Sequence, residues 1–149
     1  MKGVEWLRNY IKEKGIDAKI IEVRRASTVN EAAEEVGCSK RQIIKSIVLV
    51  AENEAVIAIV DGTSSVDLKR VEKLLGKSVR IAGREEVLHL TDFPAGGVPP
   101  IGHDCKVFVD ERVLKNERVY GGGGDEKHLL LISPSEIVRD GAVVARIRK

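Results

Sequence analysis

Residues 47–60, IVLVAENEAVIAIV, contain two apolar runs separated by a few polar residues. The runs at 47–51 and 55–60 have the length of strands and are rich in β-branched side chains. Two such runs with so short a connection favour an antiparallel hairpin. We therefore expect this hairpin at the centre of the structure.

Upstream of the hairpin, the pattern predicts a helix over 3–14, a strand over 18–23 and then a second helix. Thr28 followed three residues later by Glu31 is the signature of a capping box. The apolar stripe that begins there ends at Gly37, which is typical of a helix C-terminus.

A second capping-box pattern follows at once, with Ser39 in the first position and Gln42 in the fourth. It predicts a further short helix that ends near Lys45. Lys45 is therefore expected at the junction between this helix and the first strand of the hairpin.

Downstream of the hairpin, helices and strands follow one another without regular alternation, and a long loop rich in Gly, Pro and Asp interrupts them. We expect helices over 66–75 and 84–90, the loop over 91–105, and strands over 78–81, 106–110, 118–120, 128–133 and 142–146. This order predicts a single α+β domain over 1–149, with a curved, mixed, mostly antiparallel sheet flanked by helices.

Composition narrows the class of protein. The 149 residues are 43% hydrophobic and 32% charged, which is typical of one folded domain. Only 3% are aromatic, which disfavours a sheet that stacks several RNA bases, and a net charge of +2 does not indicate nonspecific nucleic-acid binding. With two cysteines, no signal-peptide pattern and only strand-length apolar runs, we expect a cytoplasmic protein without a membrane span.

The segment GGVPPIGH, residues 96–103, is the most specific feature of the sequence. Proline fixes φ and lacks an N–H donor, whereas glycine permits positive φ and close approach of a ligand. The free N–H groups of Gly97, Val98, Ile101 and Gly102 are therefore expected to converge on an oxygen, as in an oxyanion hole. The alternative is a rigid turn between a helix and a strand.

Other candidate residues are ambiguous on position alone. Lys45 could stabilise a phosphate or an oxyanion, but a lysine near a helix C-terminus often only complements the helix dipole. The run at 121–124 of four glycines is expected to be a flexible hairpin loop, and His128 after it is either a ligand contact or an exposed imidazole. Cys38 and Cys105 have no activating motif, and no metal or cofactor site is indicated by the spacing of histidines and cysteines.

Four segments together resemble the YbaK/ProX aminoacyl-tRNA deacylase family, which includes the editing domain inserted in some prolyl-tRNA synthetases. They are Thr28 with Ala32-Ala33, residues 42–46 (QIIKS), Asp67-Leu68, and residues 96–102 (GGVPPIG). The resemblance covers essentially the whole chain, so the chain looks like a free-standing version of that editing domain.

The resemblance implies hydrolysis of an aminoacyl ester at the 3′ end of tRNA, with a small amino acid such as alanine or cysteine on proline tRNA as the substrate. It implies catalytic roles for Lys45 and Gly102. The implied partners are the tRNA acceptor end and an aminoacyl-tRNA synthetase. Substrate-binding roles are implied for Thr28, Ser46, Gly97, Val98, Pro99, Pro100, Ile101 and His128.

Two other functions stay open at this point. A noncatalytic module could use the same fold to bind an aminoacyl-tRNA or nucleotide end and regulate a synthetase. A cysteine-dependent hydrolase would instead use Cys38 or Cys105 as its nucleophile. A Lys45→Ala variant separates the first of these from a lysine-dependent enzyme, because only the enzyme has turnover to lose.

Overall fold

The computed structural model describes all of residues 1–149. Five α-helices and eight strands follow one another with two 3₁₀ turns, at Lys40–Gln42 and Glu111–Lys115. The helices are α1 Val4–Lys14, α2 Val29–Val36, α3 Leu68–Leu75, α4 Arg84–Thr91 and α5 Pro134–Arg139. The strands are β1 Ala18–Glu22, β2 Ile44–Ala51, β3 Glu54–Asp61, β4 Arg80–Ile81, β5 Lys106–Asp110, β6 Val119–Gly122, β7 His128–Ile132 and β8 Val143–Ala145.

The strands form two sheets. The larger has the order β4-β2-β3-β5-β8, with antiparallel pairing among β4, β2 and β3 and parallel pairing of β5 with β3 and β8. The smaller is the antiparallel sheet β1-β7-β6. An isolated bridge between Ile43 and Tyr120 joins the two. The predicted α+β class with mostly antiparallel pairing is confirmed, with the strands divided between two sheets.

The hairpin predicted at the centre is confirmed as β2 and β3, which pair over eight residues each. Successive side chains of a strand point to opposite faces, and here both faces are covered. Val48 and Ile57 pack into the main core cluster, while Leu49 and Val56 pack into a second cluster on the other face. Full burial of one such side chain contributes about 1.5–3 kcal/mol to the free energy of folding. Because both faces of these strands are buried, apolar residues are needed at every position along them and not only at alternate ones.

The cap by Thr28 is confirmed at the start of α2, but the capping box is not closed, because Glu31 reaches back to Ser27 and not to the Thr28 N–H. The hydroxyl of Thr28 accepts a hydrogen bond from the Glu31 N–H at 3.1 Å, and the Glu31 carboxylate accepts from both the N–H and the hydroxyl of Ser27. Gly37 ends the helix in the left-handed region with φ 68°. These contacts fix Thr28 at the entrance to α2.

The second capping box is wrong. Ser39 makes no side-chain cap, and only the single 3₁₀ turn Lys40–Gln42 forms before β2 begins at Ile44. The Gly62 N–H donates to the carbonyls of both Lys40 and Ile43. In a longer helix these carbonyls would instead accept hydrogen bonds from N–H groups further along the same helix. Lys45 therefore lies inside β2 and not at a junction between helix and strand.

The long loop predicted between α4 and β5 is confirmed, since residues 92–105 contain no helix or strand. It begins at Asp92, which adopts φ 66°. Phe93, Val98 and Ile101 within it are buried in the main core cluster. The loop is therefore packed against the body of the protein. Among the helices, none combines the length and apolar character that crossing a membrane requires.

Candidate active site

A cleft runs along the edge of β2 that faces away from β3. On that side β4 pairs only with Leu49 and Val50, so the first half of β2 has no full strand partner there. Residues from α2, β6, β4, α4 and the 92–105 loop close the gap and leave a volume of about 380 Å³. Most of the lining is apolar, with Val48, Val87 and Val98 among the contributors. The cleft therefore suits a small ligand with few polar contacts.

Lys45 is the only residue with a formally charged side chain that lines this cleft. It is half-buried, and it takes part in none of the ion pairs of the chain. A lysine without a carboxylate partner makes the cleft positive. An ammonium group in such surroundings stabilises a phosphate or a developing oxyanion more strongly than it does in bulk water.

Ser46 and Thr28 also line the cleft. The Oγ atom of Ser46 is buried and has no hydrogen-bond partner. The Thr28 hydroxyl, by contrast, is engaged in the cap of α2 and still accepts from the Glu31 N–H. Ser46 therefore contributes to the wall of the cleft with its side-chain oxygen shielded from solvent, and Thr28 shapes the wall at the start of α2.

The 92–105 loop supplies the opposite wall of the cleft through Gly96 and Val98. The Gly97 N–H donates to the Pro94 carbonyl at 2.9 Å, and the Gly97 carbonyl accepts from the Gly124 N–H at 2.9 Å. The expectation of a free N–H at Gly97 is therefore wrong, because a turn uses that donor. The N–H groups of Gly96 and Val98 make no backbone hydrogen bond, and both residues line the cleft.

The remaining loop residues predicted for the site lie behind this wall. Gly102 adopts φ 80° and faces α1, where a Cβ atom would approach Trp6 to 3.0 Å. Its carbonyl accepts from Lys2 Nζ at 3.0 Å. Three further loop residues, all buried, do not line the cleft: Pro99, Pro100 and Ile101. Gly102 is thus placed to hold the wall in position and not to touch a ligand in the cleft.

His128 lies apart from the cleft. It begins β7, where it pairs with Glu22 of β1, and its Nδ1 lies 2.8 Å from a carboxylate oxygen of Asp125. It is absent from the lining. Of the residues predicted from the sequence, the structure brings together Lys45, Ser46, Thr28 and Val98 in the cleft itself.

Sequence reasoning missed the role of the glycine run. Gly121 and Gly122 belong to β6 and line the cleft, so the expectation that the run forms only a flexible loop is wrong. A Cβ atom on Gly122 would lie 2.2 Å from the Val98 carbonyl oxygen. Four glycines in a row were the available signal. At Gly122 the reason is the close approach of β6 to the 92–105 loop, whereas Gly123 and Gly124 face the backbone of His128 and of Val4.

The structure gives no support to a cysteine nucleophile. Neither Cys38 nor Cys105 lines the cleft. Burial raises the pKa of both thiols, which reduces the thiolate fraction that would attack a substrate. His103 beside Cys105 is buried too, and desolvation lowers its pKa to about 4, so its imidazole is neutral at pH 7. No group of three His, Cys, Asp or Glu side chains is arranged to hold a metal ion.

Comparison with known proteins agrees with this geometry. The sequence profile of the family described as "Aminoacyl-tRNA editing domain" matches residues 23–139. The chain is 32% identical over 115 residues to the uncharacterized protein YwhH of Bacillus subtilis (strain 168), which covers 75% of this chain and 73% of that protein. It is 30% identical over 102 residues to the proline--tRNA ligase of Shouchella clausii (strain KSM-K16), which covers 67% of this chain but only 18% of the ligase.

Solved structures show the same fold. A crystal structure of a proposed trans-editing enzyme for prolyl tRNA synthetase superposes with a TM-score of 0.91 and 34% identity, covering 98% of this chain and 96% of that one. The profile match covers most of the sequence, including Lys45 and the 92–105 loop. The chain therefore belongs to the aminoacyl-tRNA editing domain family, whose members include domains related to prolyl-tRNA synthetase editing.

Proposed function

We propose that the chain is an aminoacyl-tRNA deacylase that cleaves the ester of a small amino acid, such as alanine or cysteine, mischarged on proline tRNA. Residues 1–149 act as one editing domain in this proposal. Its ligand is the acceptor end of the mischarged tRNA, and an aminoacyl-tRNA synthetase is the partner that would deliver it. The editing family and the proposed trans-editing relative support this reading.

One observation carries the catalytic part of the proposal, namely the unpaired ammonium group of Lys45 in a small, largely apolar cleft. Half-buried lysines on a sheet usually have a carboxylate partner or extend into solvent, because desolvation of the charge is unfavourable. A ligand that brings negative charge into the cleft would compensate for that desolvation. Phosphates and the oxyanion of ester hydrolysis are such charges.

The proposed reaction is the attack of water on the ester carbonyl. The water oxygen bonds to the carbonyl carbon, the bond from that carbon to the ribose oxygen breaks, and the ribose oxygen takes up a proton. Lys45 and the Val98 N–H would stabilise the oxyanion that forms between these events. One good oxyanion donor contributes about 3–4 kcal/mol to catalysis, which is large for an ester that is already activated.

Gly102 takes a positioning role in this proposal. Its left-handed conformation and its contacts with α1 hold the loop that carries Val98. Selectivity for a small amino acid would follow from the limited volume of the cleft, about 380 Å³, which is near the lower end of ligand pockets. Discrimination by one methylene group is worth about 1–3 kcal/mol.

Release of amino acid from a panel of charged tRNAs tests this function. Proline tRNA is charged with alanine, cysteine or proline and incubated with the purified protein, and the released amino acid is counted over time. We expect release of alanine or cysteine that is faster than release of proline. A protein that binds these tRNAs but accelerates none of the hydrolyses would refute the deacylase function and favour the noncatalytic binding module.

A further inference from the structure

Helix α1 precedes the segment that the family profile matches. Its first turn nevertheless packs against the 92–105 loop and against the glycine run at 121–124, two segments that contribute to the cleft. A Cβ atom on Gly102 would lie 3.0 Å from Cζ3 of Trp6, and a Cβ atom on Gly124 would lie 3.2 Å from Cα of Val4. Neither Trp6 nor Val4 lines the cleft. Helix α1 therefore supports the cleft wall from behind.

The 92–105 loop depends on such packing for its position. Residues 98–102 make no backbone–backbone hydrogen bond. Two prolines in this stretch, Pro99 and Pro100, restrict φ and make it stiff, so a shift of Gly102 is transmitted to Val98. The position of the Val98 N–H at the cleft is therefore determined in part by what packs against Gly102.

Trp6 is the residue of α1 that contacts both ends of this loop. Its ring stacks on Tyr10 with the ring centroids 5.2 Å apart, and it meets Phe93 of the loop edge-on at 6.1 Å. Both arrangements are favoured between aromatic rings. Lys2 Nζ lies 4.0 Å from the centroid of the Trp6 ring and donates to the Gly102 carbonyl. Loss of the indole would remove support at Phe93 and at Gly102 together.

We infer that Trp6 is a positioning residue for the ester hydrolysis, because it holds the loop that brings the Val98 N–H to the substrate carbonyl. This inference deepens the proposed function and rests on it for the identity of the reaction. Since Trp6 does not line the cleft, its loss should leave substrate binding intact and slow the chemical step. A displacement of about 1 Å at a reacting group can cost about 100-fold in rate, so partial relaxation of the loop should cost about tenfold.

Single-turnover deacylation tests the inference with the mischarged proline tRNA that the protein hydrolyses fastest. The maximal rate at saturating protein, and the protein concentration that gives half of it, are measured for the protein, Trp6→Ala and Trp6→Phe. Leu74→Ala is the control, since Leu74 is a half-exposed apolar residue of α3 outside the cleft. We expect Trp6→Ala to lose about tenfold of the maximal rate at an unchanged half-saturating concentration. Trp6→Phe should recover most of that rate, and Leu74→Ala should keep all of it.

A purely structural role for Trp6 gives different results. Urea unfolding provides the folded fraction of each variant, and rates are compared per folded molecule. A full maximal rate in folded Trp6→Ala, an equal loss in Leu74→Ala, or no recovery in Trp6→Phe would overturn the inference. A change confined to the half-saturating concentration would also overturn it, because Trp6 would then act in tRNA binding.

Hydrogen exchange measured by mass spectrometry separates this inference from the proposed function, because it requires no turnover. Trp6→Ala should speed exchange of the amides within residues 98–102 and leave those of β5 unchanged. Faster loop exchange, in a protein that hydrolyses none of the charged tRNAs, would refute the deacylase and support positioning of the loop by Trp6. Unchanged loop exchange, with full release of amino acid by Trp6→Ala, would support the deacylase and overturn the role of Trp6.

Discussion

Gly122 in β6 has no room for a side chain, and the substitution Gly122→Ala tests how the cleft wall depends on that fact. A Cβ atom there would lie 2.2 Å from the Val98 carbonyl oxygen and 2.7 Å from the Val98 carbonyl carbon. Both contacts are with backbone, so no flexible side chain can move aside. β6 and the 92–105 loop must therefore separate.

The required displacement can be worked out from these distances. Ordinary Cβ contacts begin at 3.4 Å, so the Val98 carbonyl must move by about 1 Å relative to β6. Overpacking of this kind costs about 1–3 kcal/mol of unfolding free energy. A displacement of about 1 Å at a catalytic site can reduce the rate by about 100-fold, and Val98 is the loop residue that we place beside the substrate carbonyl.

Single-turnover release of amino acid from mischarged proline tRNA, together with urea unfolding, measures both effects. Gly3→Ala is the control, since a Cβ atom there meets nothing within 4 Å. We expect Gly122→Ala to remain folded but to lose most of its rate, and Gly3→Ala to keep it. A folded Gly122→Ala protein with the full rate would refute the role of the Val98 wall in catalysis.

Three further predictions concern the stability of the fold and of the 92–105 loop. Asp110 is fully buried and ion-paired with Arg148 at 2.9 Å, so Asp110→Asn should lower the unfolding free energy by about 3–5 kcal/mol in urea titrations. Burial opposes ionisation of Asp110, but hydrogen bonds from Ile147, Arg112 and Arg148 lower its pKa overall. Its stabilisation should therefore be present above about pH 4 and decline as the pH falls through the folded pKa, so the wild type and Asp110→Asn should converge in stability in acid. Lys2→Met removes the donor to the Gly102 carbonyl, which should speed hydrogen exchange of the loop amides in mass spectrometry. Unchanged exchange would contradict the bracing of the loop by the residues that precede α1.

Local signals in the sequence were sufficient for much of the fold. The β2-β3 hairpin, the cap at Thr28 and the stop at Gly37 each depend on residues close together in the chain. The long loop after α4 was also evident, because its Gly and Pro content prevents regular structure. Each of these features depends on backbone preferences that neighbouring residues determine.

Features that depend on distant contacts were not predictable in the same way. The Gly62 N–H binds the carbonyls of Lys40 and Ile43, and this contact ends the helix that the second capping box predicted. The division into two sheets likewise depends on contacts between segments far apart in the chain. Neither the Gly62 hydrogen bonds nor the division into two sheets is indicated by a pattern of neighbouring residues.

The candidate site shows the same contrast between features that are evident in the sequence and features that depend on distant contacts. Lys45 and Ser46 were found from the resemblance, and the structure places both in the cleft. Gly102 was assigned to the site from the same motif but faces α1, because the loop turns away from the cleft after Val98. The glycines of β6 gave a compositional signal whose meaning depends on a loop more than 20 residues earlier in the sequence.

The role of Lys45 in ester hydrolysis is tested by the single-turnover rate of amino-acid release by the protein and by Lys45→Ala. Lys19→Ala is the matched control, because Lys19 is an exposed lysine in β1 outside the cleft. We predict that Lys45→Ala remains folded and still binds tRNA but loses about 100-fold or more of the rate, whereas Lys19→Ala keeps it. Equal rates for the protein and a folded Lys45→Ala variant would contradict the central claim that Lys45 stabilises the charge that forms during ester hydrolysis.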